Sequence, residues 1–206
     1  MVERASAGSR FEYRVFAPGL GILRDRLAGE MRKREGDSGS DLYLLGRRFD
    51  RNVKVRDDTL DLKALREIWR RLERWEPVDK LPFPLAGAWI RGPLAENLGV
   101  ESLEAPREHY SLEALVDEVV RPVVALRAVA VVKERQRFER ECVRAEFVQL
   151  CAAGPPRESV AVEGFDAAAV RVWVERLGLG SWPNTSYVRW LRDCVEGSAD
   201  GSRDRA

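Results

Sequence analysis

Polar and apolar residues alternate along much of this chain. Phe11, Tyr13 and Val15 fall on one side of a stretch whose other side carries Glu12, Arg14 and Phe16. Alternation with period two predicts a strand over Phe11–Phe16. The same pattern predicts strands at Leu42–Arg47, Asn52–Arg56, Leu60–Leu65, Val129–Phe138, Glu141–Leu150 and Ser159–Glu163. Ala64–Trp75 fits two templates. Leu65, Ile68, Trp69 and Leu72 suit a helix, whereas Trp69, Arg71, Glu73 and Trp75 suit one face of a strand. Leu20, Leu23, Leu27 and Met31 have helical spacing and predict a helix over 20–34, followed by a flexible loop at Gly36–Ser40. Further helices are predicted at 111–121, 167–177 and 186–195. Ser111 and Asp166 would cap the first two of these, and Pro122 and Gly178 would end them. Prolines and glycines make residues 77–110 read as loops. No βαβ rhythm is present, so the strands predict a mainly antiparallel sheet.

Charge recurs on the strands at i, i+2 spacing, which places it on one face. Arg10, Glu12 and Arg14 share such a face, as do Lys54 and Arg56, Asp61 and Lys63, Lys133, Arg135 and Arg137, and Arg144 and Glu146. The positions between them are mostly apolar. Two arrangements satisfy this pattern. One is a sheet with a dry face and a solvated face. The other is a barrel whose charged faces converge inside, which is costly unless an anion meets the cations there. Alternation alone does not say which face is inside.

The motifs resemble, in order, those of the CYTH superfamily, the adenylyl cyclase and thiamine triphosphatase-like tunnel enzymes. Arg10-Phe11-Glu12-Tyr13-Arg14 is similar to the E-x-E-x-K strand that opens that family, and Lys54-Val55-Arg56 to its next basic strand. Leu60-Asp61-Leu62-Lys63 and Lys133-Glu134-Arg135 resemble the L-T-L-K and K-x-R strands. Glu146 stands on the acidic strand, and Ala161-Val162-Glu163 is similar to the late E-x-E. Ser186-Tyr187-Val188-Arg189-Trp190-Leu191 resembles the S-Y-x-x-L-L start of the last helix. The resemblance implies an α+β fold: an eight-stranded antiparallel β-barrel tunnel with helices packed outside, one domain over 10–195, and flexible tails at 1–9 and 196–206. It implies phosphate binding by Arg14, Lys54, Arg56, Lys63, Lys133 and Arg135. It implies catalysis and Mg²⁺ or Mn²⁺ ligation by Glu12, Glu146 and Glu163. The partner would be a triphosphate, nucleotide or other polyphosphorylated molecule, with phosphoanhydride hydrolysis as the associated chemistry. The chain departs from the family at Arg10 and Ala161, where carboxylates are expected, so metal should enter mainly with the phosphate ligand. The alternative is a non-catalytic interaction protein that uses the barrel as a scaffold and the 77–110 segment as its contact surface.

Composition narrows the remaining classes. The 35 basic and 34 acidic residues nearly cancel, so no global field draws the chain to nucleic acid or a membrane surface. Lysine accounts for only five of the 35, and arginine is the better bidentate phosphate ligand. No apolar run reaches the length of a membrane span, and no signal peptide is evident, so a cytoplasmic protein is expected. The single histidine, His109, excludes multi-histidine metal sites and has no visible partner for general-base work. Cys142, Cys151 and Cys194 are too widely spaced for a zinc site and read as buried structural thiols. The six tryptophans read mostly as core, with Trp89 as a candidate for stacking on a base. Walker A, G-x-G-x-x-G and H-E-x-x-H motifs are absent.

Overall fold

A computed structural model describes residues 8–152 and 154–200. Eight strands close into one antiparallel barrel: β1 (Arg10–Ala17), β2 (Arg32–Leu45), β3 (Arg51–Arg56), β4 (Thr59–Trp69), β5 (Leu72–Pro82), β8 (Arg127–Arg140), β9 (Val143–Cys151) and β10 (Arg157–Gly164). Their order around the barrel is β1-β10-β9-β8-β2-β3-β4-β5, and β5 returns to β1. A two-stranded sheet pairs β6 (Leu85–Ala86) with β7 (His109–Tyr110). The helices are α1 (Gly21–Glu30), α2 (Gly87–Trp89), α3 (Ala95–Leu98), α4 (Leu112–Ala114), α5 (Ala167–Leu177) and α6 (Tyr187–Asp200). No helix among the described residues is long and apolar enough to cross a membrane.

Alternation decides how this barrel is packed. Tyr13 and Val15 face outward into a cluster with Leu23 and Leu27 of α1 and Val170, Trp173 and Leu177 of α5. Val53, Val55, Leu60 and Leu62 face outward into a second cluster with Ile90, Leu94, Leu98, Leu115 and Val119. A third cluster lies inside. Tyr43, Leu45, Val129, Val131, Val148 and Leu150 pack on Tyr187, Val188, Trp190 and Leu191 of α6. Phe16 stacks on Trp190 with ring centroids 4.6 Å apart and meets Tyr187 edge-on. Helix α6 therefore closes one end of the barrel with an apolar floor.

Several elements depart from the sequence pattern. The first helix stops at Glu30 rather than residue 34. Met31 is already extended, and from Arg32 the backbone pairs with β8. The charged run Arg32–Glu35 has no apolar partner to hold it helical, and the long β8 offers it a ladder. The same ladder turns the expected loop Gly36–Ser40 into strand, with a bulge between Arg34 and Asp37. The ambiguous stretch resolves as a hairpin between β4 and β5. Arg70 and Arg71 both have positive φ at its tip, as Asp57 and Asp58 do at the β3–β4 tip. Asn184 Nδ2 donates to Arg71 O (2.7 Å), and Arg71 Nη2 donates to Trp182 O (2.9 Å), which pins the strained tip. The segment expected to be loops contains the end of β5 and helical turns from Gly87 to Leu98. A π-type turn at Ile90–Leu94 takes in Pro93, whose missing N–H leaves the ordinary helical ladder incomplete. The segment buries Leu85, Ile90, Leu94 and Leu98 against the barrel, so one side of it is core. The last helix runs to Asp200, past the expected end at Val195 and into the stretch expected to be a flexible tail. Residues 201–206, and 1–7 at the other end, lie outside the described residues.

The bulge in β2 depends on Gly36. A Cβ there would lie 2.2 Å from the backbone oxygen of Arg135, a residue whose side chain points into the barrel. Gly36→Ala is expected to cost about 1–3 kcal/mol from forced backbone displacement. At roughly 2–4 °C per kcal/mol for a chain of this size, calorimetry should show a clear drop in melting temperature. Gly39→Ala has open space within 4 Å and should leave it nearly unchanged. Equal effects of the two substitutions would contradict this account of the bulge.

Candidate functional site: a charged blind tunnel

The barrel interior beyond the apolar floor is a cavity of about 820 Å³. Arg14, Lys54, Arg56, Lys63, Lys133 and Arg135 all line it, and so do Glu12, Glu146 and Glu163. These nine residues stand on six strands and meet only because the sheet closes. Among the described residues, eleven basic and five acidic side chains line the cavity. Basic groups still outnumber acids when the inward-facing Asp37, Asp41, Asp61 and Glu73 are added.

The basic wall is built on β2, β3, β4 and β8 around Asp41, which is fully buried. Arg56 forks onto it, with Nη2 donating to Oδ2 at 2.7 Å. Lys133 Nζ donates to the same oxygen at 2.7 Å, and Arg135 Nη2 at 3.2 Å. One carboxylate thus serves three cations. Burial alone would raise the Asp41 carboxyl, but hydrogen bonds from Arg56 and the charge of Lys133 hold it well below the usual carboxylate range. Lys133 also donates to the Tyr43 hydroxyl (2.8 Å) and sits over the Tyr187 ring, 3.7 Å from its centroid. Lys54 stands 3.5 Å from Asp61. Burial and the neighbouring Arg56 push the Lys54 ammonium down. Lys63 faces the cavity and makes no ion pair among the described residues.

The opposite wall carries a row of like charges. Glu12 on β1 lies directly between Glu73 on β5 and Glu163 on β10. Carboxylates in such register repel. Each is held by an arginine. Arg189 of α6 binds Glu73, and the Trp75 indole N–H also donates to it at 3.0 Å. Arg14 Nε donates to Glu12 (2.7 Å), while its Nη2 reaches Glu146 (2.8 Å) and its Nη1 reaches the Ser159 hydroxyl (3.2 Å). Arg10 binds Glu163 at 2.6 Å. Burial raises the Glu163 carboxyl and Glu12 adds to the effect. Burial also acts upward on Glu146, but Arg14 brings it to a net decrease.

The three glutamates expected to ligate Mg²⁺ or Mn²⁺ are therefore already neutralised. A divalent ion among them would sit beside the guanidinium groups of Arg10 and Arg14. Two unit charges 4 Å apart interact by about 4 kcal/mol at an effective dielectric near 20, and a double charge feels twice that. No group of three carboxylate, imidazole or thiol side chains suited to a metal converges among the described residues. The residues present do not fit a divalent cation in this arrangement.

Several site features were not read from the sequence. Asp37 falls in the glycine- and serine-rich 36–40 stretch and Asp41 directly after it, where no apolar alternation marks a strand. Trp75 lines the cavity rather than the core. Tyr187 and Ser186, at the start of α6, line its inner end. The Tyr187 hydroxyl is buried with no hydrogen-bond partner among the described residues. Other candidates lie elsewhere. His109 sits exposed in the β6–β7 sheet, and Trp89 packs on the outer cluster. Cys142 and Cys151 are exposed rather than buried, because one lies in the β8–β9 turn and the other near the end of its strand.

Comparison with solved structures places this architecture. The PH1012 protein of Pyrococcus horikoshii OT3 is 14% identical, with a TM-score of 0.53 over 87% of this chain and 97% of that one. The PH1819 protein of the same organism is 13% identical, with a TM-score of 0.50 over 89% and 98%. The chain shares the fold of these two proteins, a closed eight-stranded antiparallel barrel with helices packed outside. A Hippeastrum protein described as having a dominant triphosphatase activity gives 14% identity and a TM-score of 0.48 over 92% and 95%. No family model matches the sequence, and no curated protein matches it.

The basic wall of this tunnel has a measurable signature. Burial is the main cause that pulls Lys133 down to about 7, with Lys54 and Arg135 acting in the same direction against Asp41. A lysine in the unfolded chain titrates near ~10.4. Between these values the unfolded chain holds a proton that the folded chain has released, so this group makes stability rise with pH across that window. Urea titrations of wild type and Lys133→Met at pH 7 and 9.5 read the effect as a difference, in which the titrations of groups away from this wall cancel. The wild type should gain at least about 1 kcal/mol relative to the variant over that range. A constant or shrinking difference would show that Lys133 stays fully protonated.

Proposed function

We propose that the tunnel binds a polyphosphorylated anion, a triphosphate or the phosphate tail of a nucleotide. The observation that carries this reading is Asp41, one buried carboxylate against Arg56, Lys133 and Arg135. Cations packed together inside a barrel repel one another and lose hydration, so the wall is stable only near an anion. Lys54 and Lys63 add to the same excess in the cavity wall. A chain of phosphates, with several charges on one molecule, suits a cavity lined by eleven basic side chains better than a singly charged organic acid does. Arginine forks supply bidentate hydrogen bonds to phosphate oxygens, and lysines add point charges. The unpartnered Tyr187 hydroxyl at the inner end is a further donor for the terminal group.

Hydrolysis is the chemistry the fold resemblance implies, and the arginine-bound glutamates argue for binding without turnover. A general base or water-positioning carboxylate must be free to face the reacting phosphorus. Glu12, Glu146 and Glu163 instead face guanidinium groups. A phosphate-release screen over tripolyphosphate, nucleoside triphosphates and thiamine triphosphate separates the two readings. Release above the background rate would establish a hydrolase.

Lys63 gives the cleanest test of binding, because it holds no carboxylate in place. Lys63→Met should weaken tripolyphosphate binding in calorimetry by about 1–3 kcal/mol, the loss of one charge-assisted contact. It should change the melting temperature little, since the repulsion from Lys54 that it removes opposes the longer-range attraction to Glu163 that it also removes, and no ion pair is broken. Failure of tripolyphosphate and nucleotides to bind the wild type would reject the proposal.

A further inference from the structure

We infer that Arg10 and Arg14 replace the metal: the tunnel's acidic wall is closed by its own guanidinium groups, and anion binding here is metal-independent. The inference rests on the anion-binding reading above. Arg10 reaches diagonally from β1 to Glu163, whose register partner is Glu12, and bonds it, and Arg14 bridges Glu12 and Glu146. Arg14 is almost fully buried, with a third hydrogen bond to Ser159 and its guanidinium over the Tyr187 ring at 4.7 Å. All three of its guanidinium nitrogens are engaged, so swinging it away to admit an ion would leave Glu12 and Glu146 without their partner. Asn184 fixes the backbone of this stretch of β1: the Arg14 amide donates to Asn184 Oδ1 at 2.7 Å, and Asn184 Nδ2 donates to Glu12 O. The Arg10 guanidinium is held on its outer side by the Phe165 ring, 4.9 Å from the centroid.

Ala161 completes the argument. It lies in the cavity wall between Arg14 and Glu146, paired with both across the strands. A methyl group there offers no ligand and leaves room for Arg14 to reach Glu146. A carboxylate at 161 would instead compete for Arg14 and restore a cluster of free acids. The charge that a metal would bring to a bound polyphosphate is supplied permanently by two arginines. Mg²⁺ in solution should then be a competitor, because it neutralises the phosphate oxygens the tunnel needs.

The test measures tripolyphosphate binding by calorimetry in EDTA and in millimolar Mg²⁺, alongside Mn²⁺ binding to the ligand-free protein by electron paramagnetic resonance. The wild type should bind tripolyphosphate at least as tightly in EDTA as in Mg²⁺, and Mn²⁺ alone should not bind. The double variant Arg10→Glu with Ala161→Glu rebuilds free carboxylates. It should bind tripolyphosphate at least tenfold more weakly than wild type in EDTA, recover with Mg²⁺, and take up Mn²⁺. Circular dichroism confirms that the double variant is folded; if it is not, the single variant Arg10→Gln replaces it and should acquire Mn²⁺ binding at the released Glu163. Tenfold or greater tightening of wild-type binding by Mg²⁺, or Mn²⁺ binding to the free wild type, overturns the inference while leaving the anion-binding function in place. No binding under either condition overturns both.

Discussion

A charge inside a closed barrel has nowhere else to go. Strand alternation sends every second side chain inward, and closure removes the option of turning it to bulk water. The interior of this protein is therefore governed by the need to pair buried charges. Asp41 meets that need on the basic wall by accepting from three cations. Arg10, Arg14 and Arg189 meet it on the other wall by separating a row of carboxylates. The two walls are not balanced in the same way. The acidic wall is neutralised group by group, whereas the basic wall keeps an excess of positive charge, and that asymmetry is what suits the tunnel to an anion.

The helices serve this interior in two ways. Outside, α1 and α5 cover one flank, and the turns from Gly87 to Val120 cover another, so the outward-facing apolar positions are dry. Inside, α6 closes the far end with aromatic and aliphatic side chains. It also sends Arg189 to Glu73 and presents Tyr187 to the cavity. The same helix is thus floor, counter-ion and lining. Low-dielectric walls around the cations strengthen each contact they make with an anion.

The main fold was legible because its signal is local. Period-two alternation in β1, β3, β8, β9 and β10 needs only neighbouring residues to be seen, and so does the Asp166 cap of α5, where the side chain accepts from the Ala168 amide at 2.8 Å. The misread elements share a different cause. Arg32–Glu35 and Gly36–Ser40 have no apolar alternation of their own and become strand only because β8 is long enough to pair with them. Gly87–Leu98 carries a proline and several glycines, yet it folds as helical turns because the outer face of β3 and β4 offers its leucines a surface. In each case the partner lies far away in sequence.

The amino-acid sequence by itself determined which side chains share a strand face, and hence that Arg14, Lys54, Arg56, Lys63, Lys133 and Arg135 stand opposite apolar neighbours. That follows from backbone geometry and needs no fold. Only the tertiary structure decided which face is inside, because closure depends on hydrogen bonds between β1 and β5 and between β2 and β8, whose paired residues lie 61 to 107 positions apart in the chain. It alone decided that Asp41 would sit among three cations. It alone decided that Arg10 and Arg14 would occupy the glutamates, since an ion pair between strands is fixed by register and distance, and neither is written in the spacing of residues along one strand.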